Sequence, residues 1–492
     1  MDNRGKMLRL STQFESALRI MAKLREAGYE AYLAGGCVRD LLLEREPADF
    51  DVATSATPDV VLGMFERTIA VGAQFGVVLV LDEASASEES MSEKPTEVAT
   101  FRSDGVYSDG RHPDEVRYTL SAAEDVQRRD FTINGLLLDA LVLLPQGLKP
   151  SSMTVADVRA EARTLQDRAL QDKTGLRAAV IDHVGGLADL DAGVIRAIGR
   201  PEKRFEEDQL RLLRGVRFAA RFGFAIENAT LVAMRALAPR IKAVSRERVR
   251  DELTKMLTEG HARRAFELLD ETGLLAEVLP EIARMKGVEQ PPQFHPEGDV
   301  WVHTLMLLEQ LEQGCSPTLA WGALLHDVGK PPTFRVAPDR IRFDGHVEVG
   351  VAMGAEICRR FRFSNEETGQ ILALIENHMR FADAPRMKTS TLKRFFRLDK
   401  FDEHLVLHRM DCLAAHRNLD LWNFVRERYG AMPEEEVRPR PLITGRELIA
   451  AGYAPGAGFK EMLRAVEDAQ LEGTVATADE AMALVRERFG QA

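Results

Sequence analysis

Gly35-Gly36-Cys37-Val38-Arg39-Asp40, followed by Asp49-Phe50-Asp51, is the stretch on which the fold of this 492-residue chain turns. The apolar run Ala31 to Ala34 reads as a short strand ending in two glycines, where the backbone turns tightly and exposes N–H groups to a phosphate. Val38 to Leu43 reads as a helix. Beyond it, Phe50 separates two aspartates, and strand alternation places Asp49 and Asp51 on one face, about 7 Å apart. Two such carboxylates suit Mg²⁺, which takes oxygen ligands and keeps substrate phosphates as partners. A pair of ions there serves phosphoryl or nucleotidyl transfer, one on the attacking hydroxyl and one on the triphosphate. Alone, Asp-x-Asp reads as the polar face of an exposed strand; the preceding glycine pair turns the reading toward a metal site.

Working outward, residues 12 to 27 carry Phe14, Ala17, Leu18, Met21 and Leu24 at helical spacing. Thr57 and Pro58 open another helix as N-cap and first residue. Two β-rich runs follow, Gly76 to Leu81 and Val98 to Phe101, separated by the acidic stretch Asp82 to Ser90, which reads as a hairpin tip. Glu97 stands open between a further carboxylate near the metal pair and a solvent-facing strand residue. Phe101 to Arg111 is rich in glycine, aspartate and serine, hence a loop. In Arg128-Arg129-Asp130, arginine suits phosphate oxygens and aspartate a hydroxyl, ahead of an apolar segment expected to be helical. Asp208, Arg211, Arg214 and Arg217 recur at intervals of three, so they can share a helix face and offer acceptors and donor forks to base edges; surface ion pairs on a helix are the competing reading.

The wording Gly-Gly-Cys-Val-Arg-Asp-Leu-Leu-Leu from Gly35, with Asp-Phe-Asp-Val-Ala-Thr from Asp49, resembles the polymerase-β-like nucleotidyltransferases. Within them it looks like the class II tRNA nucleotidyltransferase (CCA-adding enzyme) and bacterial poly(A) polymerase branch. The resemblance extends to Arg-Arg-Asp-Phe-Thr-Ile-Asn from Arg128 to Asn134, similar to a ribose-binding motif, and to Glu207-Asp208-x-x-Arg211, similar to a base-recognition motif. It implies that Gly35, Gly36 and Arg39 handle the triphosphate. Arg129 and Asp130 would take the ribose, and Asp208 and Arg211 the base, with Asn134, Arg214 and Arg217 completing the nucleotide site. Arg102, Asp104, Tyr107, Asp109 and Arg111 fall where the family carries a flexible loop that switches addition from C to A. Arg248 and Glu252 match the buttressing neck motif.

A second pattern begins after Phe294. His303, His326-Asp327, His346, His378 and Asp411 follow one another in the order of the HD metal-dependent phosphohydrolases, which this part resembles. Imidazoles with carboxylates suit Ni, Mn, Fe, Co or Zn, and such a centre generates a bound hydroxide for phosphoester hydrolysis. Lys330 is positioned to steady a phosphate. In CCA-adding enzymes with this domain, activity on 2′,3′-cyclic phosphates and 2′-nucleotides is the family expectation.

The expected fold class is α+β, mainly α. A nucleotidyltransferase head spans 1–144 with an acidic tip at 82–96, and an insertion spans 145–180. The end of the head and a helical neck span 181–290, an all-α HD domain 291–430, and a helical tail 431–492. In the tail, Thr444 reads as an N-cap, and Lys460 and Arg464 either touch tRNA or belong to an ordinary amphipathic helix.

Composition agrees with an ordinary globular chain: 45% hydrophobic and 29% charged residues, with no apolar run long enough for a membrane span. The start, Met1-Asp2-Asn3-Arg4, is not a secretory signal, and the four scattered cysteines fit a reduced cytoplasm. A net charge of −12 argues against indiscriminate nucleic-acid binding, yet Arg196 to Arg264 holds 17 basic against 9 acidic residues, a local surplus suited to RNA or to a solvated helical surface. The expected reaction adds C, C and A to a tRNA 3′ end from CTP and ATP with Mg²⁺. Its rivals are a poly(A) polymerase or A-only adder on the same fold, and an HD phosphohydrolase with an RNA-binding head. Oligomeric state and the insertion's role stay open.

Overall fold

The computed structural model describes residues 12–70, 76–81, 94–105, 116–143, 173–293 and 295–491. Tyr107, Asp109, Arg111, Phe294, most of the acidic tip and most of the 145–180 insertion lie outside them. The architecture is mostly helical, with one small sheet near the front of the chain. No helix among the described residues is long and apolar enough to cross a membrane. The chain divides into two compact units, residues 1–248 with 271–278, and residues 249–270 with 279–492.

Among the described residues of the first unit the strands are β1 (Ala31–Ala34), β2 (Val52–Thr54), β3 (Thr68–Ile69), β4 (Val77–Val80), β5 (Thr96–Thr100), β6 (Arg102–Asp104), β7 (Val116–Tyr118), β8 (Leu136–Leu138), β9 (Val180–Asp182) and a separate parallel pair, β10 (Val194–Ile195) and β11 (Ala225–Ile226). Seven of them form one sheet in the order β3-β4-β5-β2-β1-β8-β9. Only β2 and β5 run parallel within it, with Val52 opposite Val98. The helix Thr12–Glu26 lays Phe14, Ala17, Leu18, Met21 and Leu24 into the core, the spacing read from the sequence. Each such fully buried large side chain contributes about 1.5–3 kcal/mol.

Four local expectations are corrected. Asp49 and Asp51 are not within a strand: β2 begins at Val52, and the aspartates sit on its extended lead-in. Alternation still holds, because Phe50 between them is buried. The segment after Asp130 is not an apolar helix; a short 3₁₀ turn, Thr132–Asn134, leads directly into β8. Leu136, Leu137 and Leu138 are all buried between β1 and β9, and a short continuous apolar run is what a strand covered on both faces looks like. Arg102 to Asp104 is not loop but β6, laddered to β7 with Arg102 opposite Tyr118. Finally, Asp208 is not on a helix face with Arg211. It ends the helix Pro201–Glu207 with φ −143°, and the next helix, Leu210–Phe222, starts two residues later.

Among its described residues the second unit has helices and one two-stranded ribbon, at Arg335–Val336 and Ile341–Arg342. Its centre is the helix Pro317–Leu325, in which every residue from Thr318 onward is buried, packed by Val300–Leu308, Asn365–Asn377 and Phe401–Ala414. Near its end three helices, Gly445–Ala450, Gly458–Glu472 and Ala478–Phe489, close a small core of their own around Leu448, Val466 and Val485. Thr444 caps the first of these through a capping box with Glu447.

Candidate active site and metal centre

In the first unit the glycine turn brings the charged motifs together. Gly35 adopts φ +75°, which demands glycine, and the Arg129 guanidinium crosses it, 2.9 Å from where a Cβ would stand. Gly36 opens the helix Gly36–Leu42. Asp51 ends beside the turn, its carbonyl accepting from the Ala34 N–H at 3.0 Å. The register that sets Val52 opposite Val98 carries Glu97 alongside Asp51.

Three carboxylates, Asp49, Asp51 and Glu97, then share one small region with Arg129 as the opposing cation. Burial raises Asp51 to about 7, with Glu97 and then Asp49 adding to the rise and Arg129 opposing it. Glu97 is raised by burial and by Asp49. Carboxylates forced together in this way attract a hard cation, which removes their mutual repulsion. Asp49, Asp51 and Glu97 are oxygen donors of the kind a hard divalent cation takes.

Asp125, missed in the sequence, organises the arginines around this region. It is 1% exposed and accepts from Arg128 Nε at 2.8 Å, Arg129 at 3.1 Å and the Arg102 N–H at 3.3 Å. Its carboxyl stays below the usual range despite burial, because Arg128 and Arg129 compensate it. The only signal was its position, one helical turn before the two arginines.

Several residues expected at the nucleotide are hydrogen-bonded within the protein. Arg39 is buried and donates to Asp40 at 2.8 Å and to Asn134, with its guanidinium over the rings of Phe218 and Phe222. Asp130 is also buried; it accepts from Asn134 at 2.9 Å and from Arg214 Nε at 2.7 Å, and these partners hold its carboxyl well below the usual range. Arg39, Asn134, Asp130 and Arg214 thus form one hydrogen-bonded chain from the glycine turn to the helix Leu210–Phe222. Asp208 pairs with Arg248 at 3.1 Å, while Arg211 pairs with Glu207 at 2.8 Å and donates to the Arg128 carbonyl at 3.0 Å. Arg217 is buried over Phe218. Asp104 lies on β6, beyond Arg102.

The second unit gathers all six expected ligands. Asp327 stands between two groups of donors: His303, His326 and Asp411 form one, and Asp327 itself joins His346 and His378 in the other. His326 Nε2 lies 3.2 Å from Asp327, and the Nε2 atoms of His346 and His378 each lie 3.9 Å from its other oxygen. His303 Nε2 is 3.1 Å from Asp411.

The Nδ1 atoms of His326, His346 and His378 donate to the carbonyls of Ala323, Phe343 and Ile375, which leaves Nε2 as the lone-pair nitrogen in each. The Nε2 atoms of His346 and His378 are buried without a hydrogen-bond partner, and those of His303 and His326 face only the carboxylates of Asp411 and Asp327. Burying four imidazole nitrogens around these carboxylates is costly unless a cation takes their lone pairs, and the mixed N/O donor set fits a transition metal. Lys330 differs from expectation: its ammonium is buried on Asp327 at 2.7 Å and on Gln290 at 2.7 Å, so it balances a ligand carboxylate. Gly329 makes the approach possible, since a Cβ there would lie 2.0 Å from the His346 carbonyl. Glu297 was missed; it accepts from His303 Nδ1 at 2.8 Å.

Three family models match the chain: the poly A polymerase head domain over residues 31–196, the probable RNA and SrmB-binding site of polymerase A over 223–286, and the HD domain over 299–415. Over 261 residues the chain is 39% identical to the CCA-adding enzyme of Streptococcus pyogenes serotype M3, covering 53% of this chain and 54% of that one. The match thus spans about half the length of the curated relatives. Among solved structures, the Bacillus stearothermophilus CCA-adding enzyme in complex with CTP aligns over 98% of both chains at 26% identity and a TM-score of 0.68. The Thermotoga maritima CCA-adding enzyme complexed with tRNA aligns over 98% of both at 16% identity and a TM-score of 0.54, a likeness of fold.

Proposed function

The chain belongs to the class II CCA-adding enzyme and poly(A) polymerase family, and from that premise we propose that it adds C, C and A to the 3′ end of tRNA from CTP and ATP. The observation that carries the reading is the convergence of Asp49, Asp51 and Glu97 beside a glycine turn crossed by Arg129. The tRNA 3′-hydroxyl oxygen attacks the α-phosphorus, a new P–O bond forms, and the bond to the β-phosphate breaks to release pyrophosphate. Mg²⁺ at the carboxylates, when bound, supplies charge neutralisation of the triphosphate and activation of the hydroxyl.

The chain's own residues do the positioning. Gly35 and Gly36 let the backbone approach the phosphates. Arg129, held by Asp125, presents its charge beside the carboxylates. Asp130 and Arg39 act from beneath: their mutual links through Asn134 hold the turn and the helix Leu210–Phe222 in one geometry, so that orientation is set before the nucleotide arrives. Asp208, half-buried beside Arg248, faces the base edge in this reading, and Arg211, buried on Glu207 and the Arg128 carbonyl, holds the segment that presents it. Exposed basic residues of the first unit in the stretch from Arg196 to Arg264, Arg200, Lys203 and Arg240 among them, are the RNA contacts in this reading.

The test is extension of three truncated tRNAs, ending before the first C, after the first and after the second, with CTP and ATP separately and together. Ordered addition of C, C, A that then stops is the expected result. Addition of A alone to the third substrate, or long A tails, would replace this reading with its A-specific rivals.

For the second unit, four imidazole Nε2 atoms converging on the carboxylates of Asp327 and Asp411 support a metal-dependent phosphohydrolase reading, with Ni, Mn, Fe, Co or Zn held by His303, His326, Asp327, His346, His378 and Asp411. Phosphoesters of nucleotide ends, 2′,3′-cyclic phosphates among them, are the proposed substrates.

A further inference from the structure

The four histidines of the second unit's metal centre are not held alike. His326, His346 and His378 each donate from Nδ1 to a main-chain carbonyl three residues earlier, at 2.8, 2.9 and 2.7 Å. His303 alone among them donates to a carboxylate, Glu297 Oε1 at 2.8 Å. The Glu297 side chain is 3% exposed, and its second oxygen is buried without a hydrogen-bond partner. The same Oε1 also takes His295 Nδ1 at 2.8 Å, with the two imidazole rings edge to face. The loop is fixed next door by Asp299, which caps the helix Val300–Leu308 on the Val302 N–H at 2.8 Å and takes the Gly287 N–H at 2.6 Å.

A carbonyl orients an imidazole. A carboxylate orients it and also pushes electron density through the ring, so the far nitrogen becomes a stronger ligand. That nitrogen, His303 Nε2, belongs to the donor group with His326 and Asp411; Asp327, His346 and His378 make up a second group, none of whose histidines has a carboxylate on Nδ1, and His295, Glu297 and His303 lie together on the Nδ1 side. We propose that Glu297 is a positioning residue that makes the His303–His326–Asp411 group the tighter of the two cation sites, and that His295 moderates it by sharing the same oxygen. This rests on the metal-centre reading of the second unit and is independent of nucleotidyl transfer.

Full-length protein stripped with a chelator is titrated with Ni²⁺ by calorimetry, and bound metal is counted after gel filtration. Wild type is expected to bind two ions, one more tightly. In Glu297→Gln the tighter step weakens 10–100-fold while the weaker step moves less than threefold. Glu297→Asp, which keeps the charge, recovers part of the loss. His295→Asn, which leaves the carboxylate to His303 alone, keeps the tighter step at wild-type strength or stronger. Circular dichroism checks folding; if Glu297→Gln does not fold, the order His295→Asn at or above wild type and Glu297→Asp below it still decides. A tighter step in Glu297→Gln within threefold of wild type overturns the inference, as does weakening in His295→Asn. Wild type that binds no Ni²⁺ overturns the metal-centre reading as well.

Discussion

The two ligand clusters solve the same electrostatic problem in opposite ways. Around Asp51 burial and the neighbouring carboxylates Glu97 and Asp49 drive its carboxyl up to about 7 against the pull of Arg129. Around Asp327 the neighbours are imidazoles and Lys330, and around Asp411 they are His303 and His326, which outweigh Asp327; both carboxyls are held well below the usual range. Burial by itself does not decide the charge of a carboxylate; the sign of what is buried with it does. The first cluster is a set of oxygens at an open turn, suited to a hard ion that keeps room for a triphosphate. The second is a cage of oriented nitrogens, each Nδ1 already committed, suited to a softer ion held by protein.

The sharpest way to break this comparison is to remove one cluster at a time. Asp51→Ala is expected to lower tRNA extension by more than about 10³-fold, about 4 kcal/mol of transition-state stabilisation, while Ni²⁺-dependent hydrolysis of a chromogenic phosphodiester is retained. His326→Ala is expected to do the reverse. Loss of both activities in either variant would mean that the clusters act as one site.

A smaller effect separates the scaffolds. The three tryptophans, Trp301, Trp321 and Trp422, all lie in the second unit, so their fluorescence follows its unfolding, whereas circular dichroism follows both units. Asp130→Ala leaves Arg214 and Asn134 without their carboxylate and is expected to cost the first unit about 3 kcal/mol. The dichroism transition then shifts to lower denaturant and the tryptophan transition stays. A tryptophan transition that moves equally would contradict the division.

Acid sharpens the contrast further. His404 in the second unit is 1% exposed, and burial lowers it to about 4, against about 6.5 in the unfolded chain. The unfolded state takes the proton first, so the stability tied to neutral His404 is complete above about pH 6.5 and declines as pH falls toward 4. At pH 5 the expected loss is about 2 kcal/mol, read from the tryptophan transition. His404→Gln, neutral at every pH, should flatten that part of the profile. Asp130, whose folded pKa is depressed, keeps its contribution until the pH falls below the ordinary carboxylate range.

The features that reading residues in order revealed are those whose parts sit close together in the chain. Gly35 and Gly36 with Asp49 and Asp51 announce a turn and a carboxylate pair within a few residues, and the six HD ligands keep a fixed order. The apolar spacing of Thr12–Glu26 and the capping box at Thr444 were legible for the same reason. Leu136 to Leu138 was misread because a short apolar run carries no period, and only its neighbours β1 and β9 make it a strand.

By itself, then, the sequence determined which chemical groups are present and which local turns, caps and helix faces they sit on, because those depend on residues within a turn or two. Tertiary structure alone decided who meets whom. It placed Arg39 under the rings of Phe218 and Phe222, made Asp130 the partner of Arg214, and set Asp125 beneath two arginines. It also gave His303, alone of four histidines, a carboxylate at its back. Desolvation and charge pairing act through space, so the protonation state and donor strength of these groups follow from packing that no spacing along the chain encodes.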